Sequence, residues 1–137
     1  MKLKSLILAF GLSFCFTVFA DNQHRHSEEN PPENSPAVKD FSWLGYCEIE
    51  IINRSYEDVR VYGEFDDGVP LEPFIIYSFE APHYISLNFY GYCHYGMDLY
   101  IDTWRGYPLY AGYTPRRRSI RILPYLNHQP KVDVSTK

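Results

Sequence analysis

Long apolar runs are scarce in this chain of 137 residues. Only Leu6 to Phe19 qualifies, and it falls short of the roughly 20 residues that span a bilayer as a helix. No later run matches it, so no stable membrane insertion is expected of the remainder. Basic charge is also in short supply, with 13 Lys and Arg against 17 Asp and Glu. That balance argues against nucleic acid as a partner, because such binding rests on neutralising phosphates with cations. There is no nucleophile elbow, no zinc-binding helix motif and no glycine-rich phosphate loop. The hydrolases, metalloproteases and nucleotide-binding proteins that those motifs mark are therefore disfavoured. Cysteine is limited to Cys15, Cys47 and Cys93.

What the chain does have at its start is an address. Met1-Lys2-Leu3-Lys4 is basic, the apolar run follows, and Val18-Phe19-Ala20 offers tolerated residues at the two positions that a signal peptidase reads. Residues 1–20 read as a secretory signal peptide cleaved after Ala20, which places the protein in the periplasm or outside the cell. A lipoprotein reading of Leu12-Ser13-Phe14-Cys15 fails on Phe14, since the residue before a lipidated cysteine must be small. Cleavage would remove Cys15 and leave Cys47 and Cys93, which in an exported chain most simply form one disulfide. Closing a loop of that length stabilises by about 4 kcal/mol in the chain-entropy model. Loss of Lys2 and Lys4 takes the 13 basic side chains to 11 against 17 acidic ones, a net −6.

Residues 21–40 are polar, broken by Pro31, Pro32 and Pro36, and lack apolar periodicity. Such a segment buries too little surface to offset its ordering entropy and is expected to be a disordered linker. A β-domain is expected over 41–126, followed by a flexible tail over 127–137. Within the domain, apolar residues alternate with polar ones. Cys47, Ile49 and Ile51 are followed by Val59, Val61, Gly63 and Phe65, then by His83, Ile85, Leu87 and Phe89, and by Met97, Leu99 and Ile101. Shorter runs cover Phe74 to Phe79, Leu109 to Tyr113 and Arg118 to Leu123. Asp66-Asp67-Gly68 and the stretch Gly91 to Gly96 are turn signals. The pattern predicts an all-β fold, a small antiparallel β-sandwich of about seven short strands with one disulfide. Ile51-Ile52-Asn53-Arg54-Ser55 followed by Val59-Arg60-Val61 resembles, in pattern, a hairpin opening an immunoglobulin-like or transthyretin-like module.

Functional candidates are few. Tyr84 and Tyr90 share one strand face with Ser86 and Asn88, and Tyr100 shares another with Asp98, Asp102 and Trp104. If those strands are neighbours, one sheet presents rings, carboxylates and amides suited to stacking on sugars or gripping an extended peptide. Tyrosine also favours strands with no ligand present, because cross-strand ring pairs stabilise sheets. Arg116, Arg117 and Arg118 form a basic cluster able to dock phosphate or carboxylate groups. The competing reading is a solvated edge strand protected by its charge.

Metal and enzyme readings are weaker. His24 would stand fourth in the mature chain, one place late for an amino-terminal copper site, and Asp66-Asp67-Gly68 with Glu64 lacks calcium-loop spacing. Neither a metal nor a cofactor is expected. Asp98 and Asp102 are roughly 13 Å apart at strand rise, too far for a glycosidase pair. Glu64 and Asp66, about 7 Å apart, with His83, are the residues a small secreted hydrolase would have to use. Asn53-Arg54-Ser55 matches a glycosylation sequon. The expectation is a non-enzymatic exported domain that binds a glycan, peptide or protein through an aromatic-rich sheet face. A small hydrolase and a structural envelope protein are the alternatives.

Overall fold

The computed structural model describes residues 22–27, 46–126 and 129–137, with the side chains at 125, 126, 129 and 130 excepted. The signal peptide over 1–20, its cleavage site, Cys15, residues 28–40 of the expected linker and the expected domain start at Phe41 lie outside these residues. No helix among the described residues is long and apolar enough to cross a membrane.

Among the described residues eleven strands follow one another: β1 (Gln23–His24), β2 (Glu48–Asn53), β3 (Val59–Phe65), β4 (Pro70–Ile76), β5 (His83–Ser86), β6 (Asn88–Phe89), β7 (Tyr92–Cys93), β8 (Gly96–Thr103), β9 (Pro108–Pro115), β10 (Arg118–Leu126) and β11 (Gln129–Thr136). The expected seven are all here. The additional four are β1, β7, β11 and β6, the last split from the expected run over residues 83–90. Two sheets form the sandwich, one in the order β1-β5-β2-β10-β11 and the other β4-β3-β8-β9, with β6 and β7 as a separate ribbon.

The alternation read from sequence sorts inside from outside. Ile49, Ile51, Ile85, Ile120 and Ile122 of the five-stranded sheet meet Val59, Val61, Phe65, Leu99 and Ile101 of the other in one core. Burying side chains of this size contributes about 1.5–3 kcal/mol each. The intervening Arg60, Glu64, Asp98 and Tyr100 are exposed.

Short connections favour antiparallel pairing. The four-stranded sheet obeys this. In the other sheet β2 and β10 run parallel from Arg118↔Ile49 to Ile122↔Asn53, and β1 runs parallel to β5. These partners are far apart in sequence, so the geometry of a short connection does not constrain them. β4 begins at Pro70 and contains Pro73; it is an edge strand, where proline's missing N–H leaves no ladder bond unmade.

Both ends of the expected domain are longer than the sequence pattern indicated. Residues 22–27 belong to the expected disordered linker, yet Gln23–His24 pairs with Tyr84 and Ile85, and His26 is buried. Residues 129–136 belong to the expected flexible tail, yet they pair with β10. Neither segment has much apolar periodicity of its own. Each is an edge strand that gains its hydrogen bonds from a sheet already formed.

Cys47 and Cys93 form the expected disulfide, with Cα atoms 5.6 Å apart. It ties the residue before β2 to the β6–β7 ribbon. Asn53 joins the two sheets at the other end of β2. Its Nδ2 donates to the carbonyls of Glu57 (2.8 Å) and Ile76 (3.1 Å), and its Oδ1 accepts from Ser55 N and Oγ. The sequon's Asn53 is therefore fully buried, and its amide is occupied.

Candidate functional site

The outer face of the four-stranded sheet is built by the outward phase of β3, β8 and β9. Register sets Tyr62 opposite Tyr100, and Tyr100 in turn opposite Ala111. One row along, Glu64, Asp98 and Tyr113 stand side by side, and in the other direction Arg60 faces Asp102. The Tyr62 and Tyr100 rings stack at 5.4 Å with planes 17° apart. The Arg60 guanidinium lies 5.6 Å from the Tyr62 ring, and the Tyr62 hydroxyl donates to Asp102 Oδ2 at 2.9 Å. That hydrogen bond to a carboxylate, followed by desolvation, pushes the Tyr62 phenol above its ordinary range. Tyr62 is thus held from several sides. Tyr100 stays 37% exposed, and on its β9 side the neighbour in its row is only the methyl group of Ala111.

Tyr113 extends the face toward the start of β8. It is 50% exposed, its hydroxyl donates to Asp66 at 3.4 Å, and its ring lies over Gly96. A methyl group on Gly96 would run into the Thr114 carbonyl and the Tyr113 ring, so glycine is what lets the ring cross this strand closely. Partial desolvation, then the nearby Asp66, push the Tyr113 phenol up. At the opposite end the β8–β9 turn presents Trp104, 68% exposed, and Tyr107, with the turn closed by Thr103 N to Tyr107 O at 2.8 Å. The exposed rings therefore span β8 from end to end, about 25 Å for its eight residues.

The structure does not gather the predicted aromatic residues onto one sheet. Tyr100 and Trp104 belong to the four-stranded sheet and its turn, whereas Tyr84 lies in β5 of the other. Tyr84 is half-buried between Gln23 and Glu50, with Lys137 Nζ 4.9 Å from its ring. Burial, then the charge of Glu50, raise its phenol. Tyr90 sits in the β6–β7 turn in a left-handed conformation (φ 52°), against His26 and Phe89. Strand partners are set by tertiary packing, and β5 and β8 were never adjacent.

The three arginines divide as well. Arg116 and Arg117 each lie against a tyrosine ring, Tyr95 at 5.2 Å and Tyr46 at 3.5 Å. Arg118 donates to Thr136 Oγ1 at 2.7 Å and so binds β10 to β11. Sequence reading missed Tyr62 and Tyr46. The outward phase of Arg60, Tyr62 and Glu64 was a usable signal for the first; nothing local marks the second.

Glu64 and His83 are kept on different sheets. Glu64 points outward from β3, while His83 lies on the inner side of the other sheet against Phe74, ring centroids 5.5 Å apart. His94, next to Cys93, stacks on Phe89 at 3.6 Å. Asp67 of the turn accepts from His26 Nε2 at 2.9 Å and from Val69 N. Among the described residues no group of three or more His, Cys, Asp or Glu is placed to hold a metal ion. No protein-family model, characterised protein or solved structure matches the chain.

Proposed function

We propose that this chain is an exported, non-enzymatic binding domain whose ligand lies along the outer face of the four-stranded sheet, and that the ligand is a glycan. The observation that carries the reading is the Tyr62–Tyr100 pair. One ring is anchored by Asp102 and Arg60, and it supports a second that is open toward Ala111. Rings held in this way lose little rotamer freedom when a ligand settles on them. Asp98 and Glu64 are exposed beside them and make no ion pair among the described residues. Their carboxylates are free to accept hydrogen bonds from sugar hydroxyls. Export rests on the basic start and apolar run of residues 1–20, and the Cys47–Cys93 bridge is consistent with an oxidising compartment.

A glycan array probed with the purified protein, followed by titration of the best hit, tests this. Tyr100→Ala is expected to weaken binding at least tenfold, and Tyr62→Ala several-fold by loosening its support. An array without hits, or a hit unaffected by either change, overturns the reading.

A further inference from the structure

At the end of the sandwich where β9 crosses into β10, we propose a second site, distinct from the sheet face, that binds the sulfate or carboxylate groups of an acidic polysaccharide through Arg116 and Arg117. The turn between Pro115 and Arg118 is held from three directions. Arg116 N donates to Tyr95 O at 2.7 Å, Arg117 N to Glu48 O at 2.9 Å, and Lys137 N to Arg117 O at 2.8 Å. Arg117 takes a left-handed backbone (φ 64°), which turns two consecutive side chains onto different tyrosines.

The side chains have partners too. The Arg117 guanidinium lies 3.5 Å from the centroid of Tyr46, and that of Arg116 lies 5.2 Å from the centroid of Tyr95. Arg116 also donates to Cys93 O at 3.4 Å and approaches Cys93 Sγ at 3.3 Å. Tyr46 precedes Cys47, and Tyr95 stands two residues beyond Cys93, so the disulfide fixes both ring platforms to each other. The Arg117 guanidinium, lying on its ring, keeps its in-plane N–H fork available for a two-toothed grip on an oxyanion, and Arg116, whose Nη1 is turned to Cys93, adds its charge beside it.

The charge balance points to an external partner. The chain carries 17 acidic side chains, yet among the described residues no carboxylate pairs with Arg116 or Arg117. Two fixed, unpaired cations on an acidic protein form a local anion site that diffuse attraction does not explain, since the net charge is −4. The neighbours favour a sugar over a lipid. The large exposed side chains here are tyrosines, with Tyr92 at 74% and Tyr95 at 76% exposure. Flat rings suit sugar faces, and among the described residues no exposed aliphatic side chain stands here to enter a bilayer.

Titration with dextran sulfate, polygalacturonate and neutral dextran tests the site. The first two are expected to bind, the third not, and millimolar inorganic sulfate to compete. The double change Arg116→Gln with Arg117→Gln is expected to cost at least tenfold in affinity. Tyr46→Leu, which removes a platform and keeps both charges, is expected to cost several-fold. Tyr100→Ala is expected to leave this binding within twofold of the parent, which separates the site from the sheet face. Three results overturn the proposal: equal binding of neutral dextran, a double variant within threefold of the parent, or capture by phosphatidylglycerol vesicles or polyglutamate with no binding of either acidic polysaccharide.

Discussion

Nε2 of His24 lies 2.8 Å from Nδ1 of His83, and the two rings are nearly coplanar in orientation, 7° apart. One nitrogen must donate and the other accept, so this contact exists only while one of the two atoms lacks a proton. Phe74 stacks on both rings. Glu80 Oε2 is 3.3 Å from His83 Nε2, close enough for attraction but out of line for a hydrogen bond, so that buried nitrogen makes none. Through this dyad an edge strand of two residues, β1, is locked to β5.

The lock has a direct test. His83→Phe preserves ring stacking on Phe74 and removes the bond to His24. The Tyr84 amide, which donates to Asn22 O at 2.9 Å, is then expected to exchange with deuterium about fivefold faster. Amides of β2 and β10 should keep their protection. The lost hydrogen bond corresponds to about 1 kcal/mol.

Lys137 makes a second long-range tie. Its Nζ lies 3.1 Å from Glu50 and 3.3 Å from Glu48. Burial pushes the Glu50 carboxyl up, but the Ser119 hydroxyl and Lys137 outweigh it, so the group is held below its ordinary 4.5. A depressed folded value means the stabilisation is fully present above pH 4.5 and is lost as pH falls through the folded value. Lys137→Met is therefore expected to cost about 1–3 kcal/mol at pH 7. The gap between parent and variant should close in acid, as followed by urea unfolding across pH 2–7. A constant gap would show that Lys137 acts through packing alone.

The disulfide gives a third prediction. Cys47→Ala with Cys93→Ala is expected to destabilise the fold by about 2–4 kcal/mol and to lower its melting temperature measurably. Because the bridge fixes Tyr46 and Tyr95, reduction should also weaken polyanion binding under conditions where circular dichroism still reports a folded sheet.

Asn53 gives the fourth. Its amide is spent on two backbone carbonyls in the interior. When the chain is secreted from a eukaryotic host, intact-mass measurement of the folded product is expected to show no glycan at Asn53. Asn53→Ala removes both of these bonds, leaving Glu57 O only the Ser55 hydroxyl as a side-chain donor, and should cost about 1–3 kcal/mol.

Much of the fold is legible before any coordinates. The period-two pattern of Val59-Arg60-Val61-Tyr62 and of Met97-Asp98-Leu99-Tyr100 correctly separates core from surface, because alternation is a property of a single extended backbone. The β1 and β11 pairings are not legible. Gln23-His24 and Lys131-Val132-Asp133 are polar or mixed, and their order comes from hydrogen bonds offered by β5 and β10.

The candidate site divides along the same line. The chain itself marked Tyr100, Trp104 and the three arginines as outward-facing or turn residues and supplied the two cysteines that bond. Only the tertiary structure decided that Tyr100 meets Tyr62 and not Tyr84, and that Arg116 and Arg117 leave Arg118 to lie on separate tyrosines. A strand's own sequence determines which side chains share a face. The identity of the neighbouring strand depends on how two sheets bury their apolar faces together, and no local stretch of chain contains that information.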